Sequence, residues 1–285
     1  MNDVGTCLKR GAERLAAAGI ENPWRESRLL LAHATGFSEA ALIGYPERAV
    51  EACGAHSALI ARRAAHEPMS HLLGRREFWS LEFEVTADTL DPRPDSETII
   101  EAALDNFRDP GRELRILDLG TGTGCLLAAL LEEFPASWGV GVERCAMTAD
   151  VARRNITRLM MADRGRIVVA DWAASLKGAF DLVVANPPYI PSAEIARLQP
   201  EVAEYDPTAA LDGGPDGLAA YRRLMPDLPR LLAQDGVAIV EFGVGQRNAV
   251  ADLALGNGLV VRDARADLAG RPRCLVFGRE PVSNP

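Results

Sequence analysis

The 285-residue chain holds four histidines and two lysines, and each scarcity excludes a class of chemistry. His33, His56, His66 and His71 all fall in the first quarter. A site beyond them works without imidazole, which rules out a histidine-based triad or a histidine-ligated metal there. Neither Lys9 nor Lys177 stands in G-x-x-x-x-G-K-[ST], so there is no P-loop phosphate cradle. The five cysteines (Cys7, Cys53, Cys125, Cys145, Cys274) are odd in number, scattered and never spaced C-x-x-C. That pattern argues against a disulfide framework and a zinc cluster, and it predicts free buried thiols. No apolar run approaches the roughly 20 residues a bilayer span needs. The start Met1-Asn2-Asp3 places no basic stretch before an apolar one. The expectation is a cytoplasmic protein with no membrane partner and no metal.

What is present is ordinary for a cored globular protein: 48% hydrophobic and 25% charged residues, with 31 basic and 40 acidic side chains giving a net charge of −9. Disorder as the main state is excluded, and the length predicts one large or two medium domains.

Residues 1–72 read as a small, nearly neutral helical domain. Val4, Leu8, Ala12 and Leu15 recur on one helical face before Gly19. Asn22-Pro23 is a cap followed by a first-turn proline, with Gly36 as the stop. A third helix is expected from about 46 to 65. Residues 73–92 form a β-hairpin linker, because Phe78, Leu81, Phe83 and Val85 are mostly two apart. In the domain expected over 93–285, the proline-stiffened turn at Arg93-Pro94-Asp95-Ser96-Glu97 leads into an apolar helix. Strand patterns then follow at 114–119, 138–143, 166–170, 180–185, 236–242, 259–263 and 273–278. Helical patterns lie between them at 124–134, 146–160, 216–233 and 246–255. The predicted fold class is α/β, a mostly parallel sheet with helices on both faces. The irregular, proline-bearing stretch 191–215 suits a lid or docking loop.

The strand pattern Leu114–Leu119 runs directly into Gly120-Thr121-Gly122-Thr123-Gly124 and an apolar helix. Glycines there let the backbone turn tightly beside a helix N-terminus and approach a nucleotide-like ligand. The spacing is G-x-G-x-G rather than the dinucleotide fingerprint, and Asp118 just before it favours a positively charged ligand group over a pyrophosphate. Glu143 ends the next strand, 25 residues beyond Asp118, where a carboxylate can accept both ribose hydroxyls of an adenosine. Trp172 closes the third strand, with a ring suited to an adenine face.

The sharpest motif is Asn186-Pro187-Pro188-Tyr189, directly after the strand Phe180–Val184. Two prolines fix the backbone and remove two amide donors, so neighbouring carbonyls face outward as free acceptors. With the Asn186 side chain and the flat Tyr189 ring, the corner makes a seat for a planar group bearing NH₂: a carboxamide or an aminopurine edge.

Asp118–Gly124 with Asn186–Tyr189 resembles the class I S-adenosylmethionine-dependent amino methyltransferases. The helical N-terminal part, Arg75-Arg76-Glu77-Phe78-Trp79, Arg93–Glu97 and Glu241-Phe242-Gly243 resemble one branch, the glutamine methyltransferases of peptide chain release factors, over nearly the whole chain. The resemblance implies a class I methyltransferase, Rossmann-like domain and a substrate-recognising N-terminal domain. It further implies that S-adenosylmethionine is held by Gly120, Thr121, Gly122, Thr123, Gly124, Glu143, Trp172 and Asn186. The glutamine of the release factors' Gly-Gly-Gln loop would be held by Asn186, Pro187, Pro188 and Tyr189, with Asn186, Pro187 and Tyr189 as the catalytic set. Asp91 stands where that branch usually has an aliphatic residue.

Two rival readings are weaker. An adenine methyltransferase of DNA or RNA shares the Asn-Pro-Pro-Tyr element. A charge of −9 does not suit direct duplex binding, which calls for a basic surface. A nicotinamide oxidoreductase leaves that element unexplained and has no Tyr-x-x-x-Lys pair to move a proton.

Overall fold

The computed structural model describes residues 3–174, 176–267 and 269–280. The Met1-Asn2 start, and positions 175, 268 and 281–285 of the expected 93–285 domain, lie outside the described residues. Two compact units emerge. One is Met1–Arg75 with Gln199–Tyr205, and the other is Arg76–Leu198 with Asp206–Pro285.

The first unit contains α1 (Val4–Ala17), α2 (Pro23–Thr35), α3 (Glu39–Gly44), α4 (Cys53–Ala64) and α5 (Met69–Leu73). Asp3 caps α1 by accepting the Thr6 N–H at 2.7 Å, and the predicted stripe is buried at Val4, Ala12 and Leu15. The helix expected over 46–65 begins only at Cys53. Residues just before it are spent on α1: the carbonyls of Arg48 and Pro46 accept the Val4 and Gly5 N–H groups at 2.9 and 2.8 Å. Those are orphan donors of a helix start, which a continuous helix would have left unsatisfied. The expectation of unpaired cysteines is corrected at one pair. Cys7 of α1 and Cys53 of α4 form a disulfide with Cα atoms 6.3 Å apart, and a separation of 46 residues leaves no local trace of the pairing. The Arg63 guanidinium is almost enclosed and bridges Glu26 and Glu201, and the Tyr205 hydroxyl donates to the Ala65 carbonyl at 2.8 Å. These contacts fix the 199–205 segment, with α9 (Pro200–Ala203), in this unit.

Ahead of the large sheet, β1 (Arg75–Phe78) and β2 (Leu81–Glu84) form the predicted hairpin. Its two-residue turn puts Trp79 and Ser80 at φ +51° and +58°, the left-handed pair that matches strand twist. Neither is glycine, so long-range bonds hold the turn: Trp79 Nε1 donates to Glu133 at 2.7 Å, and its backbone N–H donates to Glu97 at 3.2 Å.

After a short 3₁₀ turn at Pro94–Ser96 come α6 (Glu97–Asn106), β3 (Arg115–Leu119), α7 (Cys125–Glu133), β4 (Trp138–Glu143), α8 (Ala146–Arg158), β5 (Gly165–Val169) and β6 (Phe180–Ala185). Next are α10 (Thr208–Leu211), α11 (Ala219–Leu224), α12 (Leu228–Leu231), β7 (Leu232–Glu241), α13 (Arg247–Leu255), β8 (Leu259–Ala266) and β9 (Pro272–Arg279). The single helix expected over 216–233 is two, because Pro226 cannot donate to the preceding turn and its ring clashes with it.

The seven-stranded sheet runs β5-β4-β3-β6-β7-β9-β8, parallel except for the pairings of β9 with β7 and β8. Successive residues of its central strands feed opposite cores. Ile116, Leu182 and Val184 lie with α6 and α7, whereas Leu117, Leu119, Val183 and Ala185 lie with α11, α12 and α13. Both faces are covered, which is why these strands read as continuous apolar runs. Each such leucine or isoleucine contributes about 1.5–3 kcal/mol by leaving water. The chain winds outward from β3 to β4 and β5, then returns to β6 on the other side of β3. That reversal opens a crevice at the strands' carboxyl ends. Leu119 pairs with both Val142 and Ala185, so Gly120, Glu143 and Asn186 emerge along one edge of the sheet.

Candidate active site

At that edge lies a cleft of about 540 Å³, within the usual range for small-molecule sites. Gly120–Thr123, Glu143, Trp172, Asn186 and Pro188 line it. Of the other sequence-predicted residues, Gly124 stands behind the wall as the left-handed cap of α7, φ +82°. Pro187 is buried and Tyr189 half-buried outside the cleft lining.

The glycine loop is held from beneath. Gly120 and Thr121 both donate their N–H groups to the Val142 carbonyl at 2.9 Å, and the Thr121 hydroxyl donates to Asp118 Oδ2 at 2.6 Å. Gly141 makes this approach possible, since a Cβ there would sit 2.7 Å from Thr121 Oγ1. Asp118 itself is fully enclosed, and burial pushes its carboxyl up to about 7. It braces the loop from beneath and does not itself line the cleft.

Glu143, at the end of β4, accepts the Gly122 N–H at 3.2 Å on one oxygen and the Cys145 N–H at 2.9 Å on the other. Each oxygen keeps a further lone pair for a ligand hydroxyl. Trp172 sits at φ +51° with its ring over Gly120, 3.6 Å from where a Cβ would be. A Cβ at 120 would only touch that ring, but the φ of +79° there favours glycine. Asp91, the residue at odds with the resemblance, is buried at the cleft wall, 4.0 Å from the Arg76 guanidinium.

Asn186 is part of a polar chain that the sequence reading missed. Its Nδ2 donates to Ser96 Oγ at 2.9 Å, and Ser96 donates to Glu241 Oε2 at 2.6 Å. The Tyr189 hydroxyl makes a long 3.4 Å contact to the other Glu241 oxygen. Glu241 is completely buried on β7, and desolvation raises its carboxyl to about 7 against the opposing effects of the Ser96 bond and Arg273. Burial and the Glu241 charge also push the Tyr189 phenol up. Behind the corner, Gln246 donates from Nε2 to the Tyr189 carbonyl at 2.8 Å and accepts the Gly243 N–H at 3.0 Å. No hydrogen bond within the described residues ends on Asn186 Oδ1 or on the Pro187 carbonyl. The available signal for the missed pair was a carboxylate inside the apolar run Val237–Phe242.

Comparison with known proteins follows this layout. Residues 6–74 match the family model described as PrmC N-terminal domain, and residues 96–200 match the Methyltransferase small domain. The release factor glutamine methyltransferase of Rhodospirillum rubrum is 49% identical over 97% of this chain and 85% of its own length. That of Bradyrhizobium diazoefficiens is 45% identical over 95% and 93%. In fold alone, the crystal structure of a methyltransferase from Pyrococcus furiosus is similar, with TM-score 0.50 and 19% identity over 78% of this chain and 96% of that one. With the glycine loop, the strand-end acid and the diproline corner assembled on one edge of such a sheet, and with identities this high over nearly full length, the chain belongs to the release factor glutamine methyltransferase family.

Proposed function

We propose that the protein methylates the side-chain amide nitrogen of the glutamine in the Gly-Gly-Gln loop of peptide chain release factors, with S-adenosylmethionine as donor. The observation that carries this reading is the Asn186 carboxamide: its Nδ2 is committed to Ser96, and its Oδ1 is left for a ligand.

The residues present suit the donor. Glu143 offers paired oxygens to ribose hydroxyls, Trp172 a ring to the adenine, and Gly122 open backbone, with nothing within 4 Å of where its Cβ would be. When bound, S-adenosylmethionine supplies a sulfonium methyl group. Everything else falls to the corner. An amide nitrogen is a poor nucleophile because its lone pair is delocalised into the carbonyl. Asn186 Oδ1 and the Pro187 carbonyl accept its two N–H hydrogens, which polarises the nitrogen and aims its lone pair. Pro188 and Tyr189 keep that corner rigid. Alignment of this kind is worth up to roughly 7–11 kcal/mol, and fixed acceptors favour the charge that develops on nitrogen over the neutral ground state. Water or the same acceptors take the released proton, so no dedicated base is required.

The N-terminal domain, about 1–72, is assigned to gripping the release factor, with 73–92 as the linker. The balance of −9 supports a protein substrate over a nucleic-acid duplex. The test is transfer of tritiated methyl groups to purified release factor, to the same factor with the loop glutamine replaced, to DNA and to ribosomal RNA. Label confined to the glutamine-bearing factor is expected, and label on nucleic acid would support the adenine reading instead.

A further inference from the structure

Resting on the reading above, we infer that Ser96 and Glu241 are positioning residues that set the rotation of the Asn186 carboxamide, so that its oxygen rather than its NH₂ faces the methyl acceptor. An asparagine side chain turned by half a circle fits the same space with oxygen and nitrogen exchanged, so its orientation must come from its partners. A serine hydroxyl has one hydrogen. In this chain that hydrogen goes to Glu241 Oε2 over 2.6 Å, which leaves Ser96 Oγ able only to accept from Asn186. The one group Asn186 can offer is Nδ2, at 2.9 Å. Its Oδ1 is thereby turned the other way.

Three elements contribute. Ser96 ends the 3₁₀ turn before α6, Glu241 ends β7, and Asn186 follows β6. Ser96 is separated by 90 residues from Asn186 and by 145 from Glu241. Both Ser96 and Glu241 are nearly inaccessible, at 3% and 1% exposure, so water does not compete for the relay. Glu241 is anchored in turn, because its backbone carbonyl accepts the fully buried Tyr221 hydroxyl at 2.9 Å. A purely structural polar pair would not need to end on Asn186, whose carboxamide lines the cleft. Reversing the relay would present two N–H donors to an acceptor amide whose nitrogen also carries two N–H donors, and no bond would form.

The test compares Ser96→Ala, Ser96→Thr, Asn186→Ala and the Ser96→Ala/Asn186→Ala double variant in the full chain. Cofactor affinity is measured by calorimetry and folding by thermal melting. Ser96→Ala is expected to lower kcat by about 10–100-fold, the usual scale for a partner that orients a first-contact group. Its S-adenosylmethionine Kd should stay within about twofold. Ser96→Thr, which keeps the hydroxyl, should restore most of the rate. In the Asn186→Ala background, Ser96→Ala should cost nothing further, because it acts only through Asn186. An unchanged kcat in Ser96→Ala, an equal loss of cofactor affinity, or an additive double variant would each overturn the positioning role. The side-chain NH₂ resonance of Asn186, identified by its loss in Asn186→Ala, reports the same relay without any methyl acceptor. It should exchange slowly in the native chain and broaden in Ser96→Ala. If that signal responds but release factor is not methylated, the substrate reading fails and the relay stands. If the signal does not respond, the relay itself fails.

Discussion

The Glu143 carboxylate accepts the Gly122 N–H at 3.2 Å, so the acid that ends β4 grips the loop that follows β3. One side chain thus shapes the loop and presents the oxygens proposed for the ribose. Replacement by alanine is expected to weaken S-adenosylmethionine binding by about 10–100-fold, the loss of charge-assisted hydrogen bonds worth roughly 1.5–3 kcal/mol. The fold should persist. Calorimetric titration of Glu143→Ala with S-adenosylmethionine checks this, and an unaltered Kd removes Glu143 from the ribose role.

Asn186→Ala deletes an acceptor whose value lies in the transition state. Turnover should fall by roughly 10²–10³, the scale for loss of one preorganised polar group, while cofactor Kd shifts only a few-fold. Single-turnover methylation set beside calorimetry separates the two. Parallel losses would make Asn186 chiefly a cofactor-binding or structural residue.

Asp118 and Glu241 are both raised to about 7 in the folded chain, above their ordinary carboxyl range. The folded state therefore binds more protons than the unfolded state between about pH 4 and pH 7. Their contribution to stability is full below that window and is lost as pH rises through the folded values. Asp118→Asn removes one such group. Its melting temperature should fall less steeply between pH 5 and pH 7.5 than that of the native chain. Identical slopes would show that Asp118 does not titrate in that window.

Asn155 ties three segments with one side chain. Nδ2 donates to the Glu84 and Thr123 carbonyls, each at 3.0 Å, and Oδ1 accepts the Glu84 N–H at 2.7 Å. It is wholly buried on α8. Asn155→Ala strands buried backbone groups and should cost about 2–4 kcal/mol. Chemical denaturation measures the loss, and cofactor affinity should drop with it because Thr123 belongs to the glycine loop. A stability change under about 0.5 kcal/mol would contradict that bonding pattern.

Local chemistry decided much of this protein in advance. Glycines after a buried strand, an acid closing the next strand and an asparagine before two prolines each specify a backbone shape by their own sterics and hydrogen-bonding capacity. The alternation of strand and helix patterns then led to the parallel sheet. One error was local, the helix expected over 216–233 that breaks at Pro226; others fell where a neighbour distant in sequence overrode local preference. Pro46 and Arg48 give their carbonyls to α1 instead of continuing a helix, and Cys7 pairs with Cys53 across 46 residues.

From the sequence alone came the fold class, the cleft-lining loop and the diproline corner, because each is written within a few consecutive residues. Only the tertiary structure decided that Asp118 is enclosed, that Cys7 meets Cys53, that residues 199–205 join the N-terminal helices, and that Glu241 and Ser96 stand behind Asn186. The physical reason is common to all four. A hydrogen bond, a disulfide or a buried charge depends on distance in space, and partners dozens of residues apart leave no periodicity or spacing in the chain by which to find each other.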